Sequence, residues 1–166
     1  MGLGRNKPDQ FRERAEKLLE VEKHTGVQLG ILWGMTLARS KGARQRLTER
    51  MTRLPASADI RVELLALDAT RHLSLVEALP SVRTMLNHPN FFVVRDAVQT
   101  VQSLLDHRSI PLIIPLISHE RKLVRDVVLA TLKRLTGHRN KHTRADFERW
   151  CKEHCDPEWL KPTPPP

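Results

Sequence analysis

The chain has 166 residues, with 28 Lys or Arg against 19 Asp or Glu, a formal net charge of +9. That length supplies one sizeable core, and the charge favours acidic partners: nucleic acid, an anionic membrane surface or an acidic protein. Aromatic residues make up 4% and tyrosine is absent, which disfavours a protein that stacks bases on aromatic platforms, and no stretch approaches the roughly 20 apolar residues of a membrane span.

The chain opens on MGLGRNKP, residues 1–8, which lacks the apolar run of a signal peptide and is expected to be flexible. Residues 9–24 read as a first helix, with Gly26 as the break before a second helix, VQLGILWGMTL, from Val27. This second helix is apolar nearly all round, and such a helix is usually buried on both sides. Its stripe of Val27, Ile31 and Gly34 leaves Trp33 off line. Trp33 therefore fits either a core position or a protein-binding hot spot. Gly30 and Gly34 permit close helix packing under both readings. Basic residues then crowd positions 39–53: Arg39, Lys41, Arg44, Arg46, Arg50 and Arg53, with Glu49 the only acid. The segment RLTERMTRLPAS, 46–57, fits a short helix ending at Leu54–Pro55.

From Ile60 the text becomes periodic. IRVELLALDAT at Ile60, VRDAVQTVQSLL at Val94 and VRDVVLATLKRL at Val124 follow Val27 at spacings of 33, 34 and 30 residues. The fifth position of each line is apolar: Ile31, Leu64, Val98 and Val128. In the third line Val94, Ala97, Val98, Val101 and Leu105 form one helical stripe. Burying a Val or Leu is worth roughly 1.5–3 kcal/mol, against about 0–1 for an exposed ion pair, so the stripe decides the register. A shorter helix precedes each of the last two lines, ALPSVRTMLNHP at 78–89 and SIPLIIPLISHE at 109–120. Between them Pro80 aligns with Pro111 at a first helical turn, Leu86 with Ile117, and His88 with His119. Pro115 falls inside its helix and is expected to kink it.

A period of this size means stacked supersecondary units. The pattern Val94-Arg95-Val98, Val124-Arg125-Val128 and, loosely, Ile60-Arg61-Leu64 resembles the HEAT-repeat family over about residues 25–137. The first unit departs from it at Gln28. The ending LTGHRNKHTRADFERWCKEH is similar to the tail of bacterial HEAT-like chains, where an aromatic helix closes the stack. The resemblance implies an all-α fold, a right-handed α-solenoid of about four helix–turn–helix units at 9–39, 42–72, 74–106 and 108–137. A capping helix at 142–155 completes one domain, 9–155, before a Pro-rich tail at 156–166. It also implies that Arg61, Arg95 and Arg125 form a polar ladder between units with Asp96 and Asp126. The competing reading is a row of arginines gripping phosphates.

A second basic cluster holds Lys133, Arg134, Arg139, Lys141 and Arg144. Beside it His138, His142, Cys151 and Cys155 are compatible with four zinc ligands, or with a packed thiol pair and solvated histidines. Two cysteines suit a reducing compartment, and a cytoplasmic location is expected. The tail DPEWLKPTPPP favours an extended polyproline conformation, with Trp159 and Leu160 folding back onto the last helix.

There is no Gly-rich phosphate loop, nucleophile elbow or HExxH motif. The expected function is a non-enzymatic interaction or scaffold module without a cofactor, holding a protein with an acidic or apolar patch. Trp33, the basic residues at 39–53, Lys133 and Arg134 are its candidate contacts. The alternative is a nucleic-acid binder that uses the clusters at 39–53 and 133–144; oligomeric state is open.

Overall fold

A computed structural model describes residues 7–53, 59–138, 140 and 143–160. All regular structure among them is helical: α1 (Lys7–Val21), α2 (Thr25–Leu37), α3 (Ala43–Thr52), α4 (Ile60–Leu73), α5 (Leu79–Met85), α6 (Phe91–Ser103), α7 (Ile110–Ile113), α8 (Lys122–Thr136) and α9 (Arg144–His154). Short 3₁₀ turns occupy Val76–Ala78, His107–Ser109, Ile114–Ser118 and Pro157–Leu160. No described helix is long and apolar enough to cross a membrane. The chain divides into two compact units, Met1–Ala66 and Leu67–Pro166, with the division inside α4.

In the first unit α2 packs against α1 and α3. It buries Leu29, Leu32 and Met35, which meet a core containing Ala15, Ala43, Leu47 and Met51. The stripe expected to be central, Val27, Ile31 and Gly34, lies off this buried face, and Val27 is 46% exposed. A helix that is apolar all round offers two stripes, and periodicity does not choose between them. α1 begins at Lys7, inside the segment expected to be flexible. Gly26 is not the break either: the helices part at 22–24, and Gly26 sits in the first turn of α2. A Cβ there would stand 3.2 Å from Val62 Cγ2 and 3.3 Å from His24 Cε1, so the missing side chain serves close packing. The expected helix end at Leu54–Pro55 lies outside the described residues.

In the second unit α6 packs on α5 and α8. Val94, Ala97, Val98 and Val101 of the expected stripe are buried, joined by Val93. Val124, Val128, Leu132 and Leu135 of α8 complete this layer. Asn90 caps α6 by accepting from the Phe92 N–H. The aligned histidines do one job in two places. His88 Nδ1 accepts from the Asn90 N–H, and His119 Nδ1 from the Arg121 N–H, each at 3.0 Å. Pro80 and Pro111 sit in the first turns of α5 and α7. Pro115 changes the helix type: α7 stops at Ile113 and a 3₁₀ turn continues, because proline has no N–H to return to the carbonyl four residues back. A capping box between Thr143 and Asp146 starts α9, which packs on α7 and the 3₁₀ turn after it. Phe147 and Trp150 are its buried aromatic residues.

The second helices also end alike. Arg39, Ser74, Leu105 and Gly137, which follow α2, α4, α6 and α8, have φ of +54°, +50°, +53° and +72°. At the first three, a backbone bond reaches back five residues: Ser40 N–H to Met35 O, Leu75 to Thr70 and Asp106 to Val101, at 2.9–3.0 Å. This is the Schellman closure, which satisfies carbonyls at a helix end. Three of the four positions use a side chain where glycine is favoured. Leu105, expected on the buried stripe, is one of them and stands 50% exposed.

Candidate interaction surfaces

The unburied stripe of α2 has a counterpart on α1. Phe11 and Leu18 face Val27, Gly30, Ile31 and Gly34 across a groove of about 570 Å³. Both Phe11 and Leu18 are exposed. Arg14 is the one charged side chain among its described lining residues. Exposed hydrocarbon thus stands on both walls of one groove, not scattered singly over the surface. Trp33 does not line it. That residue is half-buried with its indole nitrogen enclosed, so the apolar contacts on offer are Phe11, Leu18 and Val27.

A second concavity of the same unit, about 360 Å³, is cationic. Arg46, Arg50 and Arg53 line it with Leu19, Thr25 and Leu32, and Glu49 is the one acid among its described lining residues. Arg46 Nη1 donates to both oxygens of Glu16 at 3.0 and 2.9 Å; Arg50 and Arg53 form no ion pair among the described residues. Arg39, Lys41 and Arg44 are exposed nearby in sequence. Lys133 is half-buried and Arg134 exposed on the last turn of α8. Arg144 pairs with Glu148 at 2.6 Å, while Arg139 and Lys141 lie outside the described residues. The two clusters belong to different compact units.

The expected ladder is replaced by local contacts. Arg61 grips Asp59 through Nε and Nη2 at 2.9 and 2.8 Å, and its backbone N–H reaches the same carboxylate at 3.0 Å. These hydrogen bonds hold the Asp59 carboxyl below its ordinary range and push Arg61 up. Arg95 pairs with adjacent Asp96 at 2.7 Å and lies over the Phe92 ring. Arg125 donates to the carbonyls of His119 and Glu120 at 2.8 and 2.9 Å, while Asp126 takes Lys122 at 2.7 Å. Near the start of a helix, an arginine reaches its own entry turn or neighbouring residues more readily than another unit. The most enclosed ion pair among the described residues belongs to Arg83 of α5 and lies inside the expected unit 74–106. Arg83 donates through Nε and Nη2 to Asp106, in the turn after α6, at 2.9 and 2.7 Å. Ser109 Oγ donates to the same carboxylate at 2.5 Å. The arginine side chain is 14% exposed and the aspartate 5%.

Of the zinc candidates, Cys151 and Cys155 are joined by a disulfide, where the sequence reading expects thiols. His138 stands edge-on to Trp150 at 6.2 Å, and His142 lies outside the described residues. His154 instead stacks on Trp150 at 4.9 Å. Among the described residues no group of three or more His, Cys, Asp or Glu is placed to hold a metal.

Comparison of the chain with protein families, with curated proteins and with solved structures finds no match.

Proposed function

We propose that this chain is a non-enzymatic interaction module of the cytoplasm, a right-handed HEAT-like α-solenoid whose first helical hairpin holds a protein partner. The groove between α1 and α2 carries this reading. It leaves Phe11, Leu18 and Val27 each about half exposed, so a partner that covers them gains roughly half of the 1.5–3 kcal/mol that full burial of such a side chain is worth. The packing of α6 on α8 and the recurring left-handed helix ends support repetition as its architecture. A second reading, a nucleic-acid binder, draws on Arg50 and Arg53 in the cationic cleft.

A photo-crosslinking residue at Val27 separates the two in the full chain. The module reading expects a nuclease-resistant protein adduct that survives raised salt and disappears in Leu18→Asp. An adduct to nucleic acid, or binding lost at about 0.2 M salt as phosphate contacts are, would favour the second reading.

A further inference from the structure

We infer that the occupant of the α1–α2 groove is an amphipathic α-helix of a different protein, carrying one carboxylate in its apolar stripe to meet Arg14. This rests on the interaction reading and names the chemistry of the partner.

The floor of the groove is short and lacks bulk. From Val27 to Gly34 it rises about 10 Å, two helical turns. Gly30 lies on it, solvent-exposed, and a Cβ added there meets no described residue within 4 Å. At Gly34 an added Cβ meets only the Phe11 ring, at an ordinary 3.5 Å. Glycine is disfavoured in a helix interior relative to alanine, and packing within the chain does not require either residue. A floor with a glycine beside each of Val27 and Ile31 does accommodate a second helix lying close, since side-chain size sets the distance between packed helices. A concave floor also suits a cylinder better than a flat lipid surface.

Charge selects the partner. Arg14 is exposed, lines the groove and has no ion-pair or hydrogen-bond partner among the described residues. No carboxylate stands among the described lining residues. A second copy docking groove to groove would bring two such cations together without an acid between them, which disfavours self-association. A helix with Asp or Glu within its apolar stripe supplies both the hydrocarbon and the missing charge, at an interface where arginine makes strong hydrogen bonds to carboxylate.

The test uses the immobilised full-length chain and a displayed library of amphipathic helices about five turns long, with one position of the apolar stripe randomised. The expected result is enrichment of Asp and Glu at that position by at least about tenfold. Preference should pass to Lys and Arg on Arg14→Glu, and vanish on Gly30→Leu, which fills the floor at an exposed site. Equal recovery of all residues, or a preference unaffected by Arg14→Glu, overturns the inference. So does sedimentation as a dimer that Gly30→Leu abolishes, or binding to phosphatidylserine vesicles in place of helices. If the Val27 crosslink still captures protein while the library shows no acidic preference, the helix inference falls and the module reading stands. If the crosslink captures no protein, the module reading falls with it.

Discussion

Removing Asp106 should unbalance the second unit more than any exposed charge does. Its carboxylate accepts two bonds from Arg83 and one from Ser109, whose side chain is fully buried. Asp106→Ala leaves a largely enclosed guanidinium facing no anion and a hydroxyl without its acceptor. Breaking a buried pair from one side costs about 3–5 kcal/mol, because the remaining charge stays desolvated. The double variant Arg83→Met/Asp106→Leu removes both charges. Replacing a buried pair with apolar residues is often close to neutral, so it should recover most of the loss. Lys122→Ala gives the contrast: its side chain and that of its partner Asp126 are 77% and 54% exposed, so it should cost no more than about 1 kcal/mol. Urea unfolding followed by far-UV circular dichroism measures all three. A loss below about 1 kcal/mol for Asp106→Ala, or a double variant no more stable than the single, would refute the reasoning.

Three further outcomes are expected. Leu105→Gly should raise the thermal midpoint by relieving about 1 kcal/mol of left-handed strain, and Gly137→Ala should lower it by a similar amount; equal midpoints would show that neither helix end is strained. The Asp59 carboxyl, followed by NMR, should titrate below the ordinary value of about 3.9 and return to it in Arg61→Gln. Because its folded-state value is depressed, its contribution to stability is present above that ordinary value and is lost as pH falls through the lower one. Cys151 and Cys155 in unreduced protein should resist maleimide until reductant is added, and Cys151→Ser/Cys155→Ser should cost at most about 2 kcal/mol, the chain-entropy figure for so short a loop. Immediate labelling would overturn the pairing.

The parts of the fold legible in the sequence are those that bury themselves. Val94, Ala97, Val98 and Val101 fall at helical spacing with polar residues between, and α6 buries all four. His88 and His119 align in the sequence and perform the same turn-closing role, although their chemistry there belongs to the backbone. The repeated arginine was legible as a position and not as a contact. Its reach is settled by the turn beside it, and the most enclosed pair among the described residues, Arg83 with Asp106, stands outside the repeated line. Leu105 looked like core because the stripe runs through it. The helix ends at Ser103, two residues before the hydrophobic pattern does, and Leu105 turns left-handed into solvent.

The groove is hidden in the sequence for the same physical reason. A helix with a polar face announces which side is buried; α2 has none, so its sequence is silent about which stripe meets α3 and which remains open. Only packing decides. Leu29, Leu32 and Met35 go inward, and Val27, Ile31 and the two glycines are left lining the groove with Phe11 and Leu18. The residue that drew notice from sequence, Trp33, has its polar atom enclosed. The residues without side chains are the informative ones: a glycine that no described residue crowds is hard to account for by folding alone, and readily accounted for by something that must come close.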